Sequence, residues 1–223
     1  MVKKVIFADL DGTLIETVSG ETFPKGIWDM KIRYDVLEAI KRCNVEHLAV
    51  VSNQAGIAAG YVIKKNFDMK AGYLRAAFQE YLGISVDFIY CDSEDKNNEN
   101  RKPNAGMLDG CWKSLIAAKK FYTKDEMLMI GDASGKPGQF SDSDFKTAEN
   151  FGIDYLDVDD FLDLIEKEFC DNCKKYVKNR KREFRRMLGN KRLLNNYLDI
   201  NPHVSGLLND VWDAVVKVIL KDQ

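Results

Sequence analysis

Val5-Ile6-Phe7-Ala8-Asp9-Leu10-Asp11-Gly12-Thr13-Leu14 is the stretch that decides the fold. Four apolar residues in succession read as a strand buried on both faces. The run then meets Asp9 and Asp11, one residue apart, and a glycine. The strand therefore ends in a turn that carries two carboxylates. Neighbouring carboxylates repel unless a cation or a proton separates them. The two acids also stop the apolar run too early for the core of a signal peptide.

Working outward, short Val- and Ile-rich runs alternate with helical patterns. Strands are expected at 5–8, 47–51, 86–90, 127–130 and 155–158. Helices are expected at 34–43, 64–81, 106–120, 144–151 and 160–169. This alternation predicts an α/β, Rossmann-like parallel sheet covered by helices on both faces. Ligands in such folds bind outside the carboxyl ends of the strands. The polar stretch 92–100 reads as a solvated loop.

Of the 223 residues, 45% are hydrophobic and 30% charged, and the formal net charge is −2. That content supports one medium domain with an extension. Cys43, Cys91, Cys111, Cys170 and Cys173 form an odd, scattered set. Such a set argues against a disulfide scaffold and for a reducing compartment. No apolar run reaches the length of a membrane span. The expectation is a soluble intracellular protein, cytoplasmic, or nuclear in a eukaryote. After Phe169 the composition shifts: 174–192 holds ten Lys or Arg residues against one acid, Glu183. Residues 204–220 then show an amphipathic helical pattern. The division expected is a catalytic domain over 1–169 and a basic helical extension over 170–223.

The strand ends gather polar groups in order. Asp9 and Asp11 end the first strand, and Ser52-Asn53-Gln54 the second. Arg101-Lys102-Pro103 precedes the helix after the third, and Gly131-Asp132 ends the fourth, with Asp144 opening the next helix. Taken singly, Ser52 fits a turn cap, Lys102 a solvated lysine and Asp144 a helix N-cap. Together they bring carboxylates, a hydroxyl and an ammonium to one sheet edge. A carboxylate nucleophile must stay ionised, and a dianionic phosphate must be neutralised before it can be attacked. Lys102, Ser52 and main-chain N–H groups suit the charge spread over a transferring phosphoryl group. Hard oxygen donors select Mg²⁺.

These residues resemble the haloacid-dehalogenase (HAD) phosphatases. Asp9-Leu10-Asp11-Gly12-Thr13-Leu14 matches the first signature, Ser52 the second, Lys102 the third, and Gly131-Asp132 with Asp144 the fourth. The resemblance covers roughly residues 2–165. It implies that Asp9 attacks phosphorus to give an aspartyl-phosphate and that Asp11 serves as acid and then base. It further implies that Asp9, the main-chain carbonyl of Asp11 and Asp132 hold Mg²⁺. Ser52, Asn53 and Lys102 are the expected phosphate ligands. Asp144 and Arg101 are the expected supporting residues. About forty residues separate Asp11 from Ser52, and about fifty separate Ser52 from Lys102. Neither interval holds a large cap domain.

A finer resemblance rests on Ser19-Gly20, Phe23-Pro24, Asp29, Arg101-Lys102-Pro103, Gly106-Met107, 131–137, Phe140-Ser141 and 148–152. This order is similar to the phosphatase half of polynucleotide kinase/3′-phosphatases. It implies removal of 3′-phosphates from DNA or RNA ends. The competing resemblance is to small-metabolite phosphatases of the histidinol-phosphate and heptose-bisphosphate type, which carry a zinc loop of cysteines and a histidine. Residues 91–101 have one cysteine and no histidine, so no zinc is expected in that loop. A reading from another class, a non-enzymatic nucleic-acid-binding protein on this fold, fits poorly with four intact reactive groups.

Gly131-Asp132-Ala133-Ser134-Gly135-Lys136-Pro137 superficially suggests a P-loop, but its spacing is one residue short and Pro137 follows the lysine. Cys170 and Cys173 form a lone CxxC pair, two ligands short of a zinc site. In the basic stretch, Lys178, Arg180, Lys181, Arg182, Arg185 and Arg186 are candidate nucleic-acid contacts. A solvated helix face is the alternative.

Overall fold

A computed structural model describes residues 3–21, 24 and 27–179. The chain divides into two compact units, 1–163 and 164–223. Among the described residues, the first holds every strand. In chain order its elements are β1 (Val5–Ala8), β2 (Ile15–Thr17), β3 (Met30–Ile32), α1 (Tyr34–Arg42), β4 (His47–Asn53), α2 (Lys64–Leu82), β5 (Ser85–Cys91), α3 (Gly106–Ala117), β6 (Met127–Gly131), α4 (Ser143–Phe151) and β7 (Asp154–Asp157). α5 (Val158–Asn179) begins in the first unit and supplies the described part of the second.

Five strands form a parallel sheet in the order β5-β4-β1-β6-β7. The β1 and β6 strands are buried at every position, as the unbroken apolar runs require. Their alternate residues face opposite sides. On one side Val5, Phe7, Ala49, Val51, Met127 and Met129 pack with Met107, Leu108 and Cys111 of α3 and with Ala148 and Phe151 of α4. Ile6, Ala8, Leu48, Val50, Leu128 and Ile130 are the buried alternates of the other side. This is the α/β parallel sheet that the alternation of strands and helices predicts, and the HAD-like fold that the resemblance of the strand-end residues implies.

The expected elements appear, with ends moved by a few residues. The exceptions are the α3 helix, which stops at Ala117, and the helix expected over 160–169, which runs Val158–Asn179 through the boundary placed after Phe169. The sequence reading missed the antiparallel pair β2–β3, because three-residue strands are too short to show a period. Asp29, buried ahead of β3, accepts hydrogen bonds from the N–H (2.7 Å) and hydroxyl (2.8 Å) of Ser19 and closes that hairpin. The hairpin is what lies between β1 and α1, in place of a cap domain. Among the described residues no helix is long and apolar enough to cross a membrane.

Candidate active site

β1 delivers Asp9 to the carboxyl edge of the sheet. The Asp9 N–H still donates to the Ile130 carbonyl at 3.0 Å, extending the ladder, and its carboxylate is buried. The chain then turns tightly, with Leu14 and Ile15 N–H groups both donating to the Leu10 carbonyl at 3.0 Å. Gly12 has φ +88, and a Cβ there would lie 2.1 Å from Asp132 Oδ2. Only glycine permits this turn and leaves room for Asp132. Gly131 likewise leaves room, since a Cβ there would lie 2.2 Å from Asp144 Oδ2.

Lys102 stands at the centre. Its Nζ donates to Asp9 Oδ1 and, at 2.7 Å, to Asp144 Oδ1. All three side chains are buried. Asp144, in the first turn of α4, also accepts from the Ala133 N–H at 3.2 Å through its other oxygen. Burial pulls the Lys102 ammonium toward its neutral form, but Asp144 and Asp9 outweigh that and hold its pKa above the usual lysine value. Burial pushes the Asp9 carboxyl well above the ordinary range against the pull of Lys102, with Asp144 and Asp132 adding to the rise. Asp132 is pushed up to about 6, by burial first and then by Asp144. The site thus holds more negative charge than Lys102 neutralises.

That surplus fits a divalent cation. Asp9, Asp132 and Asp144 can each offer a carboxylate oxygen, all within 4.8 Å of one another. The donors are hard oxygens of the kind that bind Mg²⁺. The sequence reading placed Asp9, Asp11 and Asp132 in this role; the geometry adds Asp144, which it took as a supporting residue for Lys102 or for a metal-bound water.

Asp11 lies beside this cluster. Its Oδ2 accepts from Gln54 Nε2 at 2.7 Å, and the same amide donates to Ser52 Oγ at 2.9 Å. Its buried Oδ1 has no hydrogen-bond partner and sits 3.6 Å from Lys70 Nζ, an ion-pair distance too long for a hydrogen bond. Ser52 is buried at the end of β4. Asn53, expected as a phosphate ligand, instead spends its amide on the main chain of Lys102, donating to its carbonyl and accepting from its N–H, both at 2.9 Å. Arg101 points to the Ser93 carbonyl at 2.8 Å and steadies the loop between β5 and α3. Sequence reasoning assigned no role to Gln54 or Lys70. Gln54 carried a signal, since it lies two residues past Ser52; Lys70, one lysine among several on α2, carried none. Of the candidate nucleic-acid contacts, Lys178 lies on α5 with its side chain outside the described residues. Arg180, Lys181, Arg182, Arg185 and Arg186 lie outside them altogether.

Fold and strand-end groups together define a phosphatase of the HAD class. A family model described as polynucleotide kinase 3 phosphatase matches residues 4–162, and the chain belongs to that family. It is 34% identical over 165 residues to a bifunctional polynucleotide phosphatase/kinase of Schizosaccharomyces pombe, a match covering 72% of this chain and 38% of that protein. It is 28% identical over 159 residues to a histidine biosynthesis bifunctional protein HisB of Actinobacillus pleuropneumoniae, covering 70% of this chain and 40% of that one. The chain thus spans well under half the length of both relatives. Among solved structures, a D,D-heptose 1,7-bisphosphate phosphatase from B. bronchiseptica, complexed with magnesium and phosphate, superposes with a TM-score of 0.52 at 20% identity. That superposition covers 68% of this chain and 78% of the other.

Proposed function

We propose that the chain is a Mg²⁺-dependent phosphomonoesterase that removes 3′-phosphates from polynucleotide ends through an aspartyl-phosphate on Asp9. The observation that carries the chemistry is the cluster of buried Asp9, Lys102 and Asp144 with half-buried Asp132, beside Asp11. Lys102 holds Asp9 Oδ1, which leaves Oδ2 to attack. The new bond joins Oδ2 to phosphorus, and the bond from phosphorus to the 3′ oxygen breaks. Asp11 gives its proton to the departing oxygen, then takes one from the water that cleaves the acyl phosphate. Gln54 orients Asp11 through Oδ2 and leaves Oδ1 free for that proton. Ser52 and Lys102 bind the phosphoryl oxygens. Asp9, Asp132 and Asp144, with the Asp11 carbonyl, would hold Mg²⁺, which when bound neutralises charge on the transferring group.

The polynucleotide substrate is supported by the family match and by the surroundings of the site. A shallow groove of about 360 Å³ is lined by Met30, Ile32, Tyr34 and Tyr73. Tyr34 follows Arg33, whose guanidinium donates to the Gly12 carbonyl at 3.3 Å, and Tyr73 lies one turn past Lys70. Tyr34 and Tyr73 are exposed aromatic rings, a surface on which the bases of a single strand can stack. The competing substrate class is small metabolites of the histidinol-phosphate or heptose-bisphosphate type, and the loop 91–101 has no histidine and a single cysteine where that type carries a zinc loop. The test is a panel at saturating Mg²⁺: a 3′-phosphorylated oligonucleotide, a 5′-phosphorylated one, histidinol phosphate, heptose bisphosphate and a nucleoside 3′-monophosphate. The 3′-phosphorylated oligonucleotide should give the highest kcat/KM. A metabolite that outperforms it overturns the substrate assignment.

A further inference from the structure

A second cluster of metal-ligating side chains lies at the far end of the sheet. His47 opens β4, and Ser52 lies next to its last residue, Asn53, at the proposed catalytic edge. Five residue steps along the strand separate His47 from Ser52, roughly 16 Å. Asp87 on β5 pairs in register with Ala49. His47 and Asp87 therefore project from the same face of the sheet, and Cys111 of α3 covers it. His47 Nε2 lies 3.1 Å from Asp87 Oδ2, and Cys111 Sγ lies 3.8 Å from the same oxygen. The three residues can present one ligand atom each with all three atoms within 4.8 Å of one another.

We propose that His47, Asp87 and Cys111 form a binding site for Zn²⁺, separate from the catalytic Mg²⁺ site. Tetrahedral Zn²⁺ with nitrogen, oxygen and sulfur at their usual bond lengths separates N from O by about 3.3 Å and O from S by about 3.6 Å. The observed separations differ from these by a few tenths of an ångström. The ligand types select the metal: imidazole and thiolate are borderline to soft donors, which Mg²⁺ disfavours. His47 and Cys111 are each only 3% exposed, whereas the Asp87 side chain is 45% exposed and gives an ion its way in. On binding, the Cys111 thiol loses its proton to solvent as the metal–sulfur bond forms. One thiolate, one carboxylate and a neutral imidazole then balance the two positive charges. A solvent molecule on the Asp87 side completes four ligands. His47 Nδ1 is buried without a partner. The usual outer hydrogen bond to a ligating histidine is therefore absent, which weakens the site relative to a fully supported one.

The test uses the full chain, stripped of metal and titrated with Co²⁺ as a spectroscopic stand-in for Zn²⁺. A thiolate-to-cobalt charge-transfer band is expected in the near ultraviolet, one equivalent saturating it and Zn²⁺ bleaching it. The band should survive Asp132→Asn and the double change Cys170→Ser with Cys173→Ser. It should vanish in Cys111→Ser. Asp87→Asn and His47→Gln, which guard against a folding defect in the cysteine variant, should each weaken cobalt affinity about 10- to 100-fold. A wild-type titration without a thiolate band overturns the proposal. So does a band that persists in Cys111→Ser or disappears with Cys170 and Cys173. The readout does not depend on turnover, so loss of the phosphatase assignment would leave it intact.

Discussion

Asn53 and Lys102 are joined by two hydrogen bonds of opposite direction, each 2.9 Å, between the Asn53 amide and the Lys102 main chain. Residues 49 positions apart in sequence are thereby locked to one another, and the lysine is aimed at Asp9 and Asp144. Asn53→Ala should free the Lys102 loop without removing any reacting group. The expected result is a loss of kcat of about tenfold or more, since small misplacements at a reacting centre are costly, with a small drop in Tm. Lys102→Met should behave differently. It leaves Asp9 and Asp144 buried without their cation, and breaking a buried pair in this way costs about 3–5 kcal/mol. Thermal melts and steady-state rates on both variants separate positioning from charge.

Asp11→Asn should slow two steps at once, because one side chain protonates the leaving oxygen and later activates water. Each step should fall by roughly 10² to 10⁴. Rapid-quench kinetics measure formation and decay of the phosphoenzyme separately. A normal rate for both removes Asp11 from the mechanism. Gln54→Ala should show a milder defect of the same kind.

Asp132 predicts how pH and metal act together. Its carboxyl is raised in the folded, metal-free protein, so the folded state holds a proton that the unfolded state has released. Between the ordinary carboxylate range and about 6, stability of the metal-free protein should therefore fall as pH rises. The raised Asp9 acts with the same sign. Mg²⁺ needs the ionised carboxylates, so its affinity should climb through that window and level off above it. Asp132→Asn should raise the metal-free Tm at neutral pH and remove the stabilisation by Mg²⁺. Gly12→Ala, whose Cβ occupies the space of Asp132 Oδ2, should also lose Mg²⁺ binding. Melting curves with and without Mg²⁺ from pH 5 to pH 8 test all three.

The basic stretch 174–192 enters the account as a proposed electrostatic handhold. Neutralising Lys178, Arg180, Lys181, Arg182, Arg185 and Arg186 together should weaken oligonucleotide binding regardless of base sequence. The slope of log affinity against log salt should flatten by about 0.7 to 0.9 for each phosphate that the variant no longer neutralises. Hydrolysis of a small aryl phosphate should hold steady. An unchanged salt slope takes this stretch out of the functional account.

The sheet was legible because its central strands are buried on both sides and so carry unbroken apolar runs bounded by polar turns. The proposed catalytic acids were legible because Asp9 and Asp11 interrupt such a run where a structural role for two carboxylates is hard to find. What the sequence hid depends on distance along the chain. The Asn53–Lys102 clamp arises only when β4 meets the loop after β5, and the approach of Lys70 to Asp11 only when α2 meets the turn after β1. Nothing in the local pattern around Lys70 differs from that of a solvated helix lysine. Asp144 reads locally as the start of a helix. Its place among the metal-competent oxygens comes from the missing side chain at Gly131, which lets α4 close on β6.

Transfer of the phosphoryl group itself tests the central claim most directly. An oligonucleotide carrying radiolabelled 3′-phosphate is mixed with the protein and Mg²⁺, quenched in acid within milliseconds, and digested. The account predicts that label appears transiently on the peptide containing Asp9, is absent in Asp9→Asn, and persists longer in Asp11→Asn. Label that passes straight to inorganic phosphate, or settles on another peptide, would contradict it.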